Sequence, residues 1–188
     1  MPSIVTLLSD FGTADSYVAE MKARILERAR DAVLVDITHQ VPPGDIMAAQ
    51  YLLSRAWSRF PAGTIHLAVV DPGVGTHRWP LAGEASGHCF VGPDNGIFSF
   101  AAEGTWVTLV PDPKASASFH GRDVFAPAAG ALAAGSDLHS LGRELTDIRR
   151  VPLPTPHSLG GEWLGEVIYV DRFGTLITNL PGQGVDPE

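Results

Sequence analysis

An aspartate, an arginine and a histidine, each close to glycine, are the side chains with the clearest potential for acid-base chemistry. Asp71 and Arg78 bound the loop 71–78, which contains one proline and two glycines and follows a predicted strand. A tight loop could fold the arginine back onto the aspartate and keep the carboxylate ionised. His120 could handle protons because an imidazole titrates near neutral pH. An ordinary ion pair at a turn and a surface histidine are the alternative interpretations.

A second acidic group lies near the N-terminus, in the segment 9–16. Asp10 follows the first predicted strand, at the position where open α/β sheets bind ligands. Its carboxylate could accept both hydroxyls of a ribose, with Asp15 and Ser16 beside it. The alternative is an aspartate that caps the next helix.

Metal-dependent hydrolysis is a further alternative, in which Asp10, Asp71 and His120 share one ion. The seven histidines form no HxH, HxxxH or HExxH pair, so the sequence favours a site without metal. Two other motifs are typical of turns: Asn95-Gly96, and the run 171–174 at the tip of a predicted hairpin.

Strands and helices alternate in the part of the chain that must position these residues. Apolar runs predict strands at 4–8, 33–37 and 64–70, with one helix capped by Asp15 or Thr13 and a second capped by Asp45. This β-α-β-α-β order is typical of a parallel sheet with helices on its faces. Further strands are predicted at 88–92, 97–100 and 105–110, then a helix with Pro127 in its first turn, and a hairpin of 162–170 and 175–180.

Length and composition indicate a folded protein with one main domain. The chain has 188 residues and a net charge of -8, which argues against a nucleic-acid surface because phosphates attract basic patches. No stretch approaches the ~20 apolar residues of a membrane span. The single cysteine, Cys89, excludes an intrachain disulfide, and the N-terminus does not resemble a signal peptide, so we expect a cytoplasmic protein.

Six sequence blocks stand in order along the chain. They are SDFGTADSYVAEMK (9–22), DITHQVPPGDI (36–46), AVVDPGVGTHR (68–78), VGPDNGIFS (91–99), FHGRDVFAPAA (119–129) and VDRFGTLITN (170–179). Together they resemble the S-adenosyl-L-methionine hydroxide adenosyltransferase family, relatives of the bacterial fluorinase and chlorinase, over about residues 3–180.

The resemblance implies an α/β fold, with an N-terminal three-layer domain around a mostly parallel sheet and a small C-terminal β-barrel. Here the catalytic domain is expected at 1–150, a Pro/Gly-rich linker at 151–161, and an incomplete β domain at 162–188, because the family runs further than this chain. The resemblance also implies a homotrimer with each active site at a subunit interface. The adenine side of the pocket is expected to be open.

The activity implied by the resemblance is hydrolysis of S-adenosyl-L-methionine to adenosine and methionine, by attack of water or hydroxide at C5′ without a cofactor. The implied catalytic residues are Asp71, Arg78 and His120. The residues implied to bind substrate are Asp10, Asp15, Ser16, Asp171, Phe173 and Asn179. Thr175 stands where halogenases carry asparagine, and no contact is assigned to it. A protein that binds adenosine or S-adenosyl-L-methionine without turnover is the remaining alternative.

Overall fold

Three parallel strands form one part of the central sheet, and Asp10 and Asp71 come shortly after two of them. The computed structural model describes residues 2–182. The first elements are β1 (Ile4–Ser9), α1 (Tyr17–Leu26), β2 (Val33–Thr38), α2 (Ile46–Ala56) and β3 (Ile65–Val69). β1 lies between β2 and β3 and is parallel to both, which confirms the predicted β-α-β-α-β arrangement.

Four more strands extend this sheet to seven. They are β4 (Pro80–Ala85), β5 (His88–Pro93), β6 (Thr105–Leu109) and β7 (Gly142–Leu145). The strand order is β2-β1-β3-β5-β4-β6-β7, and only β4 and β7 run against the other strands. The fold is therefore α/β with a mostly parallel sheet, as predicted.

Burial of β1 on both faces explains its continuous apolar sequence. Leu7 packs on one face into the main hydrophobic cluster, together with Met21 and Ile25 of α1 and residues of α3 (Ala126–Ala133). Thr6 faces the other side, where it contacts His66 of β3. The helices α1 and α3 therefore cover one side of the sheet. The other side carries a cluster of aromatic rings that includes His66, Phe90 and Trp106.

The predicted strand 97–100 is wrong, and β4 and β7 were not predicted. The chain turns after Gly96, whose φ is +100°, and Ser99–Ala101 forms a short 3₁₀ helix. Asn95 holds this turn, because its Oδ1 accepts from the backbone N–H of Ile97 at 3.2 Å. Ile97 and Phe98 are buried, so their apolar run imitates a strand.

The predicted N-terminal residues of the helices are confirmed in part. Asp45 caps α2 as predicted, because its Oδ1 accepts from the N–H of Ala48 at 2.9 Å. Neither Asp15 nor Thr13 caps α1; its N-cap is Ser16, whose hydroxyl bonds a side chain and not the helix backbone. α3 has Pro127 in its first turn as predicted, and a π-helical turn, Gly121–Phe125, precedes it.

The chain divides into two compact units between Val151 and Pro152. In the second unit, β8 (His157–Leu159) pairs with β9 (Glu162–Leu164), and β10 (Val167–Val170) pairs with β11 (Leu176–Thr178).

The prediction of a single strand over 162–170 is wrong. Gly160 and Gly161 both have positive φ and form a tight turn, so 162–164 pairs backwards onto a strand inside the predicted linker. The end of the predicted β domain, 183–188, lies outside the described residues. Across residues 2–182, none of the helices combines the length and apolarity required to cross a bilayer.

Candidate active site

The carboxyl ends of β1 and β3 bring two of the predicted acidic residues to one edge of the sheet. Ser9 of β1 pairs with Val69 of β3, so Asp10 and Asp71 each leave the sheet within two residues of this pair. This edge is where open α/β sheets bind ligands. The loop 71–78 starts here, and Gly75 in that loop has a φ of +79°.

The loop folds Arg78 back onto Asp71, as the spacing predicts. Arg78 Nε lies 3.0 Å from each carboxylate oxygen of Asp71, and Nη2 also bonds Oδ2. Both side chains are nearly buried, with 5% of Asp71 and 8% of Arg78 exposed. A buried bidentate pair of this kind fixes the orientation of the carboxylate.

His120 completes a row of three groups. Its Nδ1 lies 2.9 Å from Arg78 Nη2, and a guanidinium can only donate, so Nδ1 accepts and the ring proton is on Nε2. Burial lowers the pKa of His120, and Arg78 lowers it further, while Asp71 and Asp123 oppose the shift. The imidazole is therefore neutral at neutral pH.

An open cleft of about 200 Å³ lies beside this row. Asp71 and His120 line it, whereas Arg78 lies behind them. The other lining residues are mostly aromatic and apolar: Phe11, Tyr17, Met21, Val69, Val74, Ser118, Phe119 and Gly121, with the charged Glu20 and Arg122. Such a lining lowers the local dielectric constant and so strengthens electrostatic interactions between groups in the cleft.

Arg122 joins the two walls of the cleft. It donates to Glu20 of α1 at 3.1 Å and to both carboxylate oxygens of Asp123, and its Cζ lies 4.8 Å from the ring centroid of Phe119. A hydrogen bond from Ser16 and one from Arg122 lower the pKa of Glu20. Glu20 and Arg122 were not predicted from the sequence, because only the folded chain places them against the same cleft.

The three residues predicted near the ribose have different surroundings. Asp10 is partly buried, and its Oδ2 accepts from the N–H of Gly44 at 2.8 Å. Ser16 is exposed and donates to Glu20 at 2.6 Å, and Asp15 is exposed. None of the three is among the residues that line the cleft.

The predicted residues of the second unit make local contacts. Asp171 Oδ1 accepts from the N–H groups of Phe173 and Thr175, which lowers the pKa of Asp171 despite slight desolvation. Asn179 accepts from the N–H of Glu166 and donates to the carbonyl of Pro154, both at 2.8 Å. Phe173 is 91% exposed. These contacts shape the unit itself.

The described part of the chain contains no group of three His, Cys, Asp or Glu residues that could hold a metal ion. Asp10, Asp71 and His120 therefore do not form the metal site considered from the sequence. Asp10 accepts a hydrogen bond from Gly44, whereas Asp71 and His120 both accept from Arg78.

Comparison with known proteins gives a consistent result. Residues 5–142 match a family described as the SAM hydroxide adenosyltransferase N-terminal domain. The (R)-S-adenosyl-L-methionine hydrolase of Thermus thermophilus is 44% identical over 94% of this chain, and that of Methanocaldococcus jannaschii is 36% identical over 94%. The chain spans 74% and 66% of those two proteins.

A solved structure shows the same fold. The crystal structure of an uncharacterized conserved protein from Thermotoga maritima superposes with a TM-score of 0.88 at 35% identity. The match covers 94% of this chain and 71% of that protein.

Proposed function

The chain belongs to the SAM hydroxide adenosyltransferase family, and from that premise we propose that it hydrolyses S-adenosyl-L-methionine to adenosine and L-methionine. The observation that carries the proposal is the buried row of Asp71, Arg78 and His120 beside an apolar cleft. The row supplies one carboxylate acceptor and one imidazole donor side by side. That pair suits a water molecule that attacks a neighbouring carbon.

The reaction needs little more than placement of the water. The sulfonium makes C5′ electrophilic; the new C–O bond forms as the C–S bond breaks, and methionine leaves as a neutral thioether. The attacking oxygen becomes positively charged as it bonds carbon, so its proton passes readily to a carboxylate. Asp71 is the acceptor in this proposal, because Nδ1 of His120 is occupied by Arg78 and Nε2 already carries a proton.

His120 and Arg78 have separate roles in this mechanism. His120 holds the water by donating from Nε2 to its oxygen. Arg78 fixes Asp71 and, by bonding Nδ1, also fixes the proton of His120 on the side facing the cleft. No metal or further cofactor takes part in the proposed steps.

The carboxylate of Asp71 also favours water over halide. An anion entering the cleft would meet a negative charge without a compensating proton transfer, whereas water can donate to that charge. We therefore expect fluoride and chloride to give no halogenated nucleoside.

Substrate binding is proposed to involve residues outside the row. Asp10 binds the ribose hydroxyls, with Asp15 and Ser16 beside it. The methionine and adenine ends are assigned to Asp171, Phe173 and Asn179. The first assignment is supported by the contacts of Asp10. Its Oδ2 accepts from the N–H of Gly44, and its other carboxylate oxygen can accept from a ribose hydroxyl.

We also propose a cytoplasmic homotrimer with each active site at a subunit interface. The support is the number of large apolar side chains that the second unit exposes. They include Leu159 (68%), Trp163 (47%), Val170 (49%), Phe173 (91%) and Leu176 (62%). Interfaces between subunits cover apolar side chains of this kind. Light scattering should give the mass of three chains, and a stable monomer would contradict the assembly.

The activity is tested by incubation with S-adenosyl-L-methionine and chromatographic identification of the products. Adenosine and methionine in equal amounts are expected, with the same rate in EDTA. Asp71→Asn should abolish turnover. The matched control is Asp147→Asn, which makes the same change in an Asp–Arg pair on the surface. Binding of substrate without adenosine release would favour the non-catalytic alternative, and loss of activity in EDTA would favour a metal.

A further inference from the structure

A serine, a histidine and an aspartate outside the cleft are connected in a line beside Asp10. Ser9 Oγ lies 2.7 Å from Nδ1 of His39. His39 Nε2 lies 3.1 Å from Asp36 Oδ1, an ion-pair distance without an aligned hydrogen bond. The other oxygen of Asp36 is 2.7 Å from Lys22 Nζ of α1. The line therefore runs from α1, through the end of β2, to the end of β1.

This set has the composition of a hydrolase triad, but Ser9 cannot be a nucleophile. Ser9 is 0% exposed and His39 is 4% exposed, so no substrate can reach the hydroxyl. A nucleophilic serine must lie within reach of the substrate carbon. The effect of these three residues must instead pass through the backbone groups that they contact.

The contacts indicate which group donates and which accepts at each step of the line. Ser9 Oγ accepts from the N–H of Phe11 at 3.3 Å, so its own proton is free to bond Nδ1 of His39. The proton of His39 is then on Nε2, facing Asp36. Partial burial would raise the pKa of Asp36, but the hydrogen bond from Lys22 and the close approach of His39 outweigh it and hold the pKa below its ordinary value. Asp36 is therefore a charged anchor for the line.

The same residues hold the backbone that follows Asp10. The N–H of Gly12 donates to the carbonyl of His39 at 2.8 Å, and Phe11 is held by the serine hydroxyl. Asp10 itself accepts from the N–H of Gly44 at 2.8 Å, and that residue belongs to the loop after His39. The orientation of the Asp10 carboxylate thus depends on a backbone that Ser9 and His39 fix.

We propose that Ser9, His39 and Asp36 are positioning residues that orient Asp10 toward the ribose of the substrate. This inference rests on the proposed function, because it takes the ribose as the partner of Asp10. It adds an assembly, buried at Ser9 and His39, that reaches the substrate only through Asp10 and the backbone of Phe11 and Gly12.

The chain offers a matched control on the same strand. Thr6 of β1 makes a second buried hydroxyl–imidazole contact, with its Oγ1 2.7 Å from Nδ1 of His66, and both residues are 0% exposed. Thr6 lies three residues before Ser9, away from the carboxyl edge. Ser9→Ala and Thr6→Val each remove one buried hydroxyl from an imidazole, but only Ser9→Ala alters the line to Asp10. Asp36→Asn, at a side chain that is 41% exposed, tests the other end without changing the core.

The experiment compares kcat/KM for S-adenosyl-L-methionine with that for its 2′-deoxyribose analogue. The unaltered protein should prefer the ribose form. Ser9→Ala and Asp36→Asn should reduce this preference, by about tenfold for Ser9→Ala, roughly the value of one hydrogen bond, mainly through a higher KM. Thr6→Val should keep the preference. Hydrogen exchange at the amides of Phe11 and Gly12 should accelerate in Ser9→Ala and not in Thr6→Val.

Three outcomes would overturn the inference: an unchanged preference in Ser9→Ala and Asp36→Asn, an equal loss in Thr6→Val, or a lower kcat with unchanged KM. Failure of the proposed function looks different, because the unaltered protein would then release no adenosine. In that case binding of adenosine and 2′-deoxyadenosine, measured by calorimetry on the same variants, replaces the kinetic comparison. No preference between those two nucleosides in the unaltered protein would overturn the inference as well.

Discussion

Separating the Asp71–Arg78 pair should cost stability far beyond what a surface ion pair contributes. The two side chains are 5% and 8% exposed, so removing one charge leaves the other buried without a counter-ion. For such a pair the loss is about 3–5 kcal/mol, against about 0–1 kcal/mol for an exposed pair. We expect Asp71→Asn and Arg78→Gln each to lower the free energy of unfolding by about 3 kcal/mol.

The double variant isolates the interaction. Asp71→Asn with Arg78→Gln leaves no buried charge at the pair, so its cost should fall short of the sum of the single costs by about 2 kcal/mol. Urea denaturation followed by circular dichroism measures the three values. Asp147→Asn, in the exposed pair with Arg150, is the control and should cost less than about 1 kcal/mol. Additive costs at positions 71 and 78, or single costs as small as that of the control, would refute the buried-pair reasoning.

The three remaining predictions concern pH and packing. Turnover should fall as pH drops through the pKa of His120, with a midpoint below the ordinary 6.5, because only neutral imidazole accepts from Arg78; a pH–rate profile with its acid midpoint at or above 6.5 would contradict this. Burial, and the charge of a neighbouring histidine, lower the pKa of His66 to about 3, so the unfolded chain binds one more proton between about pH 6.5 and 3. Stability should be complete above that window and decline within it by up to about 1.4 kcal/mol per pH unit from this residue, and His66→Phe should flatten the decline in urea titrations. Gly83→Ala should lower the free energy of unfolding by at least about 1–3 kcal/mol, since a Cβ there would lie 2.2 Å from the ring of Trp106, and an unchanged urea midpoint would show that the ring can move.

Local patterns were sufficient where neighbours in sequence determine the structure. The buried strands, the cap at Asp45 and the return of Arg78 onto Asp71 each involve segments of eight residues or fewer. A short loop leaves few conformations, so spacing alone predicts the contact. Such features need no knowledge of the remaining chain.

Contacts between distant segments were not accessible in the same way. Arg78 and His120 meet across 42 residues, and only the order of strands in the sheet brings them together. The resemblance to a family supplied that grouping from the sequence. It did not supply the aromatic wall from Tyr17 and Phe119, or the link of Arg122 to Glu20 over 102 residues.

The errors in the second unit have a local cause. Gly160-Gly161 is a strong signal for a two-residue hairpin turn, but the prolines around it favoured a linker.

Buried apolar residues outside strands caused the error at 97–100, because periodicity cannot distinguish a buried turn from a buried strand.

Oxygen labelling tests the central claim most directly. The protein is incubated with S-adenosyl-L-methionine in water enriched in oxygen-18, and the adenosine is analysed by mass spectrometry. The proposed mechanism predicts one labelled atom per adenosine, located in the 5′-hydroxyl, and unlabelled methionine. Adenosine without label at that position would contradict attack of water at C5′.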